Sequence, residues 1–193
     1  MNGRCLHRAV FLDRDGTINV EKDYLINPED FEFLPGVPEA LKKLQNAGFL
    51  LVVVSNQSGV ARGYFSLQQV EKLHSHMKSL LEPYGVSLSG IYVCPHHPTH
   101  GQGEYLYDCE CRKGNPGMLL KAAEDLTIDL RHSFMIGDKL ADIEAGYTAG
   151  CSTFLVRTGY GEQFSEYAAA YSTEVVDDLP TAADEILAIN PCV

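Results

Sequence analysis

With 193 residues, 45% of them apolar and 21% charged, the chain is long enough for one well-buried core and rather short for two. A net charge of -11 and the absence of any Lys or Arg run exclude a broad nucleic-acid footprint, but leave room for a small anionic ligand held by a few local cations. The longest apolar run, 49–54, is far too short to span a membrane, and the first ten residues lack the apolar core of a signal peptide, so no membrane partner and a cytoplasmic, reducing setting are expected.

The apolar run 9–12 is too brief for a helix and is closed by a Gly signal, which predicts a strand. A helix is predicted over 37–47, opened by Pro38 and stopped by Gly48, followed by a strand over 49–54. Ser66 can cap a helix over 67–81, and Pro83 and Gly85 lie beyond its end. Further strands are predicted at 90–93, 134–136 and 153–156, with a weaker one at 174–176. Helices are expected over 117–126, 140–149 and 181–188. Alternating strands and helices predict an α/β fold with a mainly parallel sheet covered by helices. No repeat, low-complexity tract or linker divides the sequence, so residues 1–193 read as a single domain. Two connections are long for such a fold, a flap at about 19–35 and a loop at about 94–115, and long loops in compact domains are usually functional or held by something.

Asp13 and Asp15 stand two residues apart just where the first strand ends, the edge of an α/β sheet that faces a ligand crevice. Like charges that close resist joint ionisation unless a cation or a shared proton holds them, and an oxygen-liganded cation such as Mg²⁺ suits both the pair and a phosphate. The same residues also suit a solvated turn, and the rest of the chain decides between them. Ser55, which follows the most hydrophobic strand, can donate its hydroxyl to a phosphate oxygen, and backbone amides of Asn56-Gln57-Ser58-Gly59 can form an anion nest. Asp138 ends the strand at 134–136 and is a candidate third carboxylate, with N-capping as its structural alternative. Asp142, one turn into the next helix, supports either the site or the helix dipole.

The second long loop carries Cys94-Pro95-His96, then twelve intervening residues, then Cys109-Glu110-Cys111. One nitrogen and three thiolates form a common set for tetrahedral structural zinc, and alternation in extended backbone makes each pair a pincer. His97 and His100 compete with His96, which is preferred for its alternation with Cys94. Four protein ligands leave no open position, so the zinc is expected to fold the loop rather than meet a ligand. Arg112 and Lys113 follow directly and would be aimed by that loop. Cys5, Cys151 and Cys192 are scattered and read as plain core or surface thiols.

The ordered set Asp13-x-Asp15-Gly-Thr, Ser55-Asn-Gln, Lys113 and Gly137-Asp138-x-x-x-Asp142 resembles the haloacid dehalogenase (HAD) superfamily, whose phosphatases carry the second Asp and whose dehalogenases lack it. FLDRDGTINV at 11–20, VVVSNQSGVARG at 52–63, IYVCPHHP at 91–98 and the stretch 111–120 are similar to one member family, the D-glycero-D-manno-heptose-1,7-bisphosphate 7-phosphatases. Gly114-Asn115 departs from the Pro-His expected after the lysine, and Ser55 stands where relatives often have Thr. The resemblance implies a Rossmann-like sheet with helices on both faces, no separate cap domain, and Asp13 and Asp138 on adjacent central strands. It implies Mg²⁺ held by Asp13, Asp15 (through its backbone carbonyl) and Asp138, and Zn²⁺ held by Cys94, His96, Cys109 and Cys111. Asp13, Asp15, Ser55 and Lys113 would be catalytic, through an aspartyl-phosphate on Asp13. Glu21, Lys22, Asp23, Tyr24, Asn56, Gln57, Ser58 and Arg112 would contact a small phosphorylated sugar. The implied function is removal of the 7-phosphate in nucleotide-activated heptose biosynthesis, by a monomer, and the choice between the α and β anomers of the bisphosphate stays open. Histidinol-phosphate phosphatase is the nearest rival, and a non-catalytic zinc-stabilised binding module is a rival of another class. The -11 charge argues against a phosphatase acting on DNA ends.

Overall fold

Six strands pair in parallel in the order β3-β2-β1-β4-β5-β6 within the computed structural model, which describes residues 6–189. The chain runs β1 (Ala9–Leu12), α1 (Val37–Asn46), β2 (Leu50–Asn56), α2 (Ser58–Ala61), α3 (Leu67–Leu81) and β3 (Gly90–Cys94). It continues through α4 (Gly117–Leu126), β4 (Phe134–Gly137), α5 (Leu140–Ala149), β5 (Ser152–Val156), α6 (Ser165–Ala168), β6 (Glu174–Val176) and α7 (Leu179–Ile189). Cys5 and Cys192 lie outside the described residues. Among the described residues, no helix is long and apolar enough to cross a membrane.

The central strands read as continuous apolar runs because both faces are covered. Val10 and Leu12 of β1 join a core built from α1, α3 and α7 on one face. Ala9 and Phe11 point to the other face, against Met118, Leu119 and Ala122 of α4. Both sets are fully buried, and each large side chain withdrawn from water in this way contributes about 1.5–3 kcal/mol.

Most predicted elements recur within a residue or two, and the differences have physical causes. β2 extends to Asn56 because its pairing with β3 continues through Asn56 opposite Cys94. Ser55 and Asn56 therefore sit on the strand end rather than in the turn after it. α7 begins at Leu179, two residues before the predicted start, because Asp178 Oδ1 accepts from the Thr181 N–H at 2.9 Å and hydroxyl at 2.7 Å, leaving Pro180 in the first turn. The short α2 and α6 were not predicted; four residues hold too little periodicity to read.

The order of strands reverses direction between β1 and β4, whose register sets Leu12 beside Ile136. The residues that follow these two strands open onto the crevice at the switch point. The flap is tied at its base: Asn19 bridges to both Asp15 and Phe33, and Leu34 N–H donates to Ile18 O at 3.0 Å.

Candidate active site

Asp13, directly after β1, donates its N–H to Ile136 O at 2.9 Å, which locks it beside the end of β4. Asp138 follows β4, and Asp142 comes back from the first turn of α5, accepting from the Lys139 N–H at 2.9 Å. Carboxylate oxygens of Asp13, Asp138 and Asp142 all lie within 4.8 Å of one another. Lys113 enters from the loop after β3, its ammonium bonded to Asp13 Oδ1, paired with Asp142 Oδ1 at 2.7 Å and donating to Val54 O at 2.8 Å. Asp138 is wedged between two backbone turns: a Cβ on Gly16 or on Gly159 would overlap its carboxylate, and both glycines have positive φ.

Three carboxylates this close cannot all ionise unaided. Burial, then Asp13 and Asp142, push the Asp138 carboxyl up to about 8, and burial, then Asp13, pushes Asp142 to about 6. Against the penalty of burial, Asp13 and Asp142 hold Lys113 protonated above its ordinary range. Asp138 Oδ1 is buried and has no hydrogen-bond partner, while Oδ2 accepts from the Tyr160 N–H at 2.9 Å. A carboxylate oxygen with no hydrogen-bond donor in an acidic cluster, its nearest cation Lys139 Nζ at 3.7 Å, fits a hard divalent cation with oxygen ligands.

Asp15 is oriented differently. Its carboxylate accepts from Arg14 Nε at 3.1 Å and Nη2 at 2.6 Å, and from Asn19 Nδ2 at 3.0 Å. Although burial would raise it, the Arg14 guanidinium holds this carboxyl below the usual range. The Asp15 side chain stands outside the three-carboxylate cluster, so only its backbone carbonyl is left to serve a cation there; Asp142, read from the sequence as support, is in the cluster.

A small cavity of about 50 Å³ is bounded by Asp13, Asp15, Asn56, Lys113, Lys139 and Asp142. A cleft of about 220 Å³ shares Asp15, Asn56 and Lys139 with it and is lined further by Glu21, Asp23, Tyr24, Gln57, Ser58 and Tyr160. Six of the expected substrate contacts therefore meet in one place. Two do not. Lys22 is turned onto the flap itself, donating to Asp30 O at 2.7 Å and Glu32 Oε2 at 3.2 Å. Arg112 Nη1 donates to His96 O at 3.1 Å and serves the loop instead. Ser55 is buried, and its hydroxyl oxygen accepts from Gln57 Nε2 at 2.9 Å.

Lys139 and Tyr160 are cleft residues that sequence reasoning missed. Lys139 lay inside a quoted motif, next to Asp138, and that adjacency was a usable signal; Tyr160 had none. Buried Arg14 was missed as well, its Nη1 lying 3.0 Å from His74 Nε2 on α3.

The four expected loop ligands converge. Sulfurs of Cys94, Cys109 and Cys111 lie 3.2–3.5 Å apart, and His96 Nδ1 is 3.4 Å from Cys111 Sγ and 3.8 Å from Cys94 Sγ. A tetrahedron of ~2.3 Å metal–sulfur bonds has edges of ~3.8 Å, a few tenths of an ångström beyond these separations, so slight spreading admits the ion. Burial, then the neighbouring thiols, hold Cys94 and Cys111 above the ordinary thiol range, and a dication would reverse that. The cluster fits Zn²⁺. His97 and His100 face each other instead, with ring centroids 4.8 Å apart.

Residues 110–182 match the HAD-hydrolase-like family model. The chain is 56% identical over 154 residues to the D-glycero-beta-D-manno-heptose-1,7-bisphosphate 7-phosphatase of Haemophilus ducreyi, spanning 79% of this chain and 84% of that protein. It is 49% identical to the protein of the same name from Pasteurella multocida, across 91% of this chain and 96% of that one. Its fold is similar to the D,D-heptose 1,7-bisphosphate phosphatase of B. bronchiseptica, solved with magnesium and phosphate, at a TM-score of 0.84 and 34% identity over 94% of this chain and 99% of that one.

Proposed function

This chain belongs to the D-glycero-D-manno-heptose-1,7-bisphosphate 7-phosphatases of the HAD-like hydrolases, and from that premise we propose that it hydrolyses the 7-phosphate of the β-anomeric bisphosphate through a phosphorylated Asp13. The observation that carries the chemistry is the meeting of Lys113 with Asp13 and Asp142, beside an Asp138 oxygen that has no hydrogen-bond donor. We read residues 1–193 as one phosphatase domain, acting as a cytoplasmic monomer on a small phosphorylated sugar.

Phosphate monoester hydrolysis needs accelerations of up to ~10²¹, or roughly 28 kcal/mol. Asp13, Asp138 and the backbone carbonyl of Asp15, backed by Asp142, would hold Mg²⁺, which supplies neutralising charge between an anionic nucleophile and an anionic ester. A carboxylate oxygen of Asp13 attacks phosphorus as the ester P–O bond breaks. Lys113 and the Ser55 hydroxyl take the equatorial oxygens, where a preorganised charge contributes most. Asp15 gives its proton to the leaving sugar oxygen; the entering phosphate raises its proton affinity against the pull of Arg14. Water then attacks phosphorus, Asp15 takes the proton, and the bond to Asp13 breaks. Hydroxyls beyond the scissile ester meet a wall of acceptors, Glu21 and Asp23 among them.

Parallel assays of phosphate release from the α and β bisphosphates and from histidinol phosphate test the assignment. The β bisphosphate is expected to have the highest kcat/KM. A preference for histidinol phosphate would transfer the chain to the rival reaction.

A further inference from the structure

Tyr160, which the catalytic scheme does not use, joins three parts of the site. Its N–H holds Asp138 Oδ2, its ring lies under Lys139 Nζ at 4.8 Å, and its hydroxyl donates to Asp23 Oδ1 at 3.0 Å. The turn that carries it is fixed, since Thr158 Oγ1 donates to Gly16 O at 2.6 Å and Gly159 packs against Gly16 too closely for a side chain. Tyr160 is thus a rigid post beside the cation-binding carboxylates.

Opposite the post, the flap makes an unfavourable corner. Asp23 and Tyr24 adopt φ of +40° and +34°, the left-handed region that residues other than glycine seldom occupy. Such conformations persist where the surroundings over-determine them. Here the corner is clasped on each side, by Tyr160 on Asp23 and by Lys139 on Glu21 at 3.0 Å. The Tyr24 ring packs edge-on against Tyr64 at 4.8 Å.

We propose that Tyr160 is a positioning residue for specificity: through Asp23 it holds the flap corner against the cleft, setting the wall that selects the polyhydroxylated part of the substrate. It acts on the sugar beyond the ester, not on the reacting phosphate. The inference rests on the sugar-bisphosphate reading above.

Tyr160→Phe keeps the ring over Lys139 and removes only the hydroxyl. In the enzyme loaded with zinc and magnesium, kcat/KM for heptose bisphosphate relative to p-nitrophenyl phosphate should fall about fivefold or more, carried by KM. Asp23→Ala should shift the ratio the same way, and the double variant should fall short of the product of the two. An unchanged ratio, or equal loss on both esters, overturns the proposal. Tryptic cleavage after Lys22 reads the clasp without any substrate and should quicken about threefold in Tyr160→Phe. If the wild type ignores heptose bisphosphate, the functional reading fails while this cleavage still judges the clasp; an unchanged rate overturns it.

Discussion

Asn56 grips the backbone of Lys113 with both ends of its amide: Oδ1 accepts from the Lys113 N–H at 2.9 Å, and Nδ2 donates to Lys113 O at 3.3 Å. A residue that lines the cleft thereby also holds another. The last residue of β2 borrows the hydrogen bonding of a strand neighbour and fixes the loop at the point where its lysine enters the site.

Asn56→Ala should lower kcat about 100-fold, the scale of loss that follows when a charge stabiliser moves by about an ångström, with KM much less affected. Steady-state kinetics with zinc content measured alongside checks this, since zinc should stay bound. A large rise in KM with kcat retained would return Asn56 to the role of substrate ligand.

Cys111 stands two residues before Lys113, so the zinc cluster and the active site share one short piece of backbone. Cys109→Ser should lower zinc occupancy and reduce kcat/KM at least about tenfold through misplacement of Lys113. Metal analysis and kinetics on one preparation give the result. Full activity in a zinc-depleted enzyme would separate the loop from catalysis.

Burial, then the Arg14 charge, hold the His74 imidazole down at about 3, while in the unfolded chain it titrates near ~6.5. Between those values the unfolded state binds the extra proton, so this contribution is complete above ~6.5 and is lost as pH falls toward 3. By about pH 5 the loss is on the order of 2 kcal/mol. His74→Gln should flatten that slope, seen as a smaller drop in urea midpoint between about pH 7 and pH 5 than in the wild type. An identical drop in both proteins would place the acid sensitivity elsewhere.

How far the sequence discloses the site follows from the range of its interactions. Asp13, Ser55 and Asp138 are legible because each closes a strand buried on both faces, and the apolar run announces where it ends. The zinc set is legible because its ligands come in local pairs. Tyr160 is not, because its partner Asp23 lies 137 positions away. Arg14 is hidden in the same way: it is 1% exposed and rests against His74, 60 residues on. Lys22 errs in the opposite direction, a flap cation whose counter-charge Glu32 lies within the flap. Tertiary partners decided Tyr160 and Arg14, and no local pattern encodes them.

In the proposed reaction Asp13 is the group phosphorylated by a heptose 1,7-bisphosphate, and phosphate release by the wild type and by Asp13→Asn decides whether it is. With magnesium present, the wild type should release one phosphate per sugar and leave the 1-phosphate. Asp13→Asn should release none while keeping its fold and zinc. Continued turnover by Asp13→Asn would rule out Asp13 as the nucleophile, and loss of the 1-phosphate from the wild type would rule out 7-phosphatase specificity.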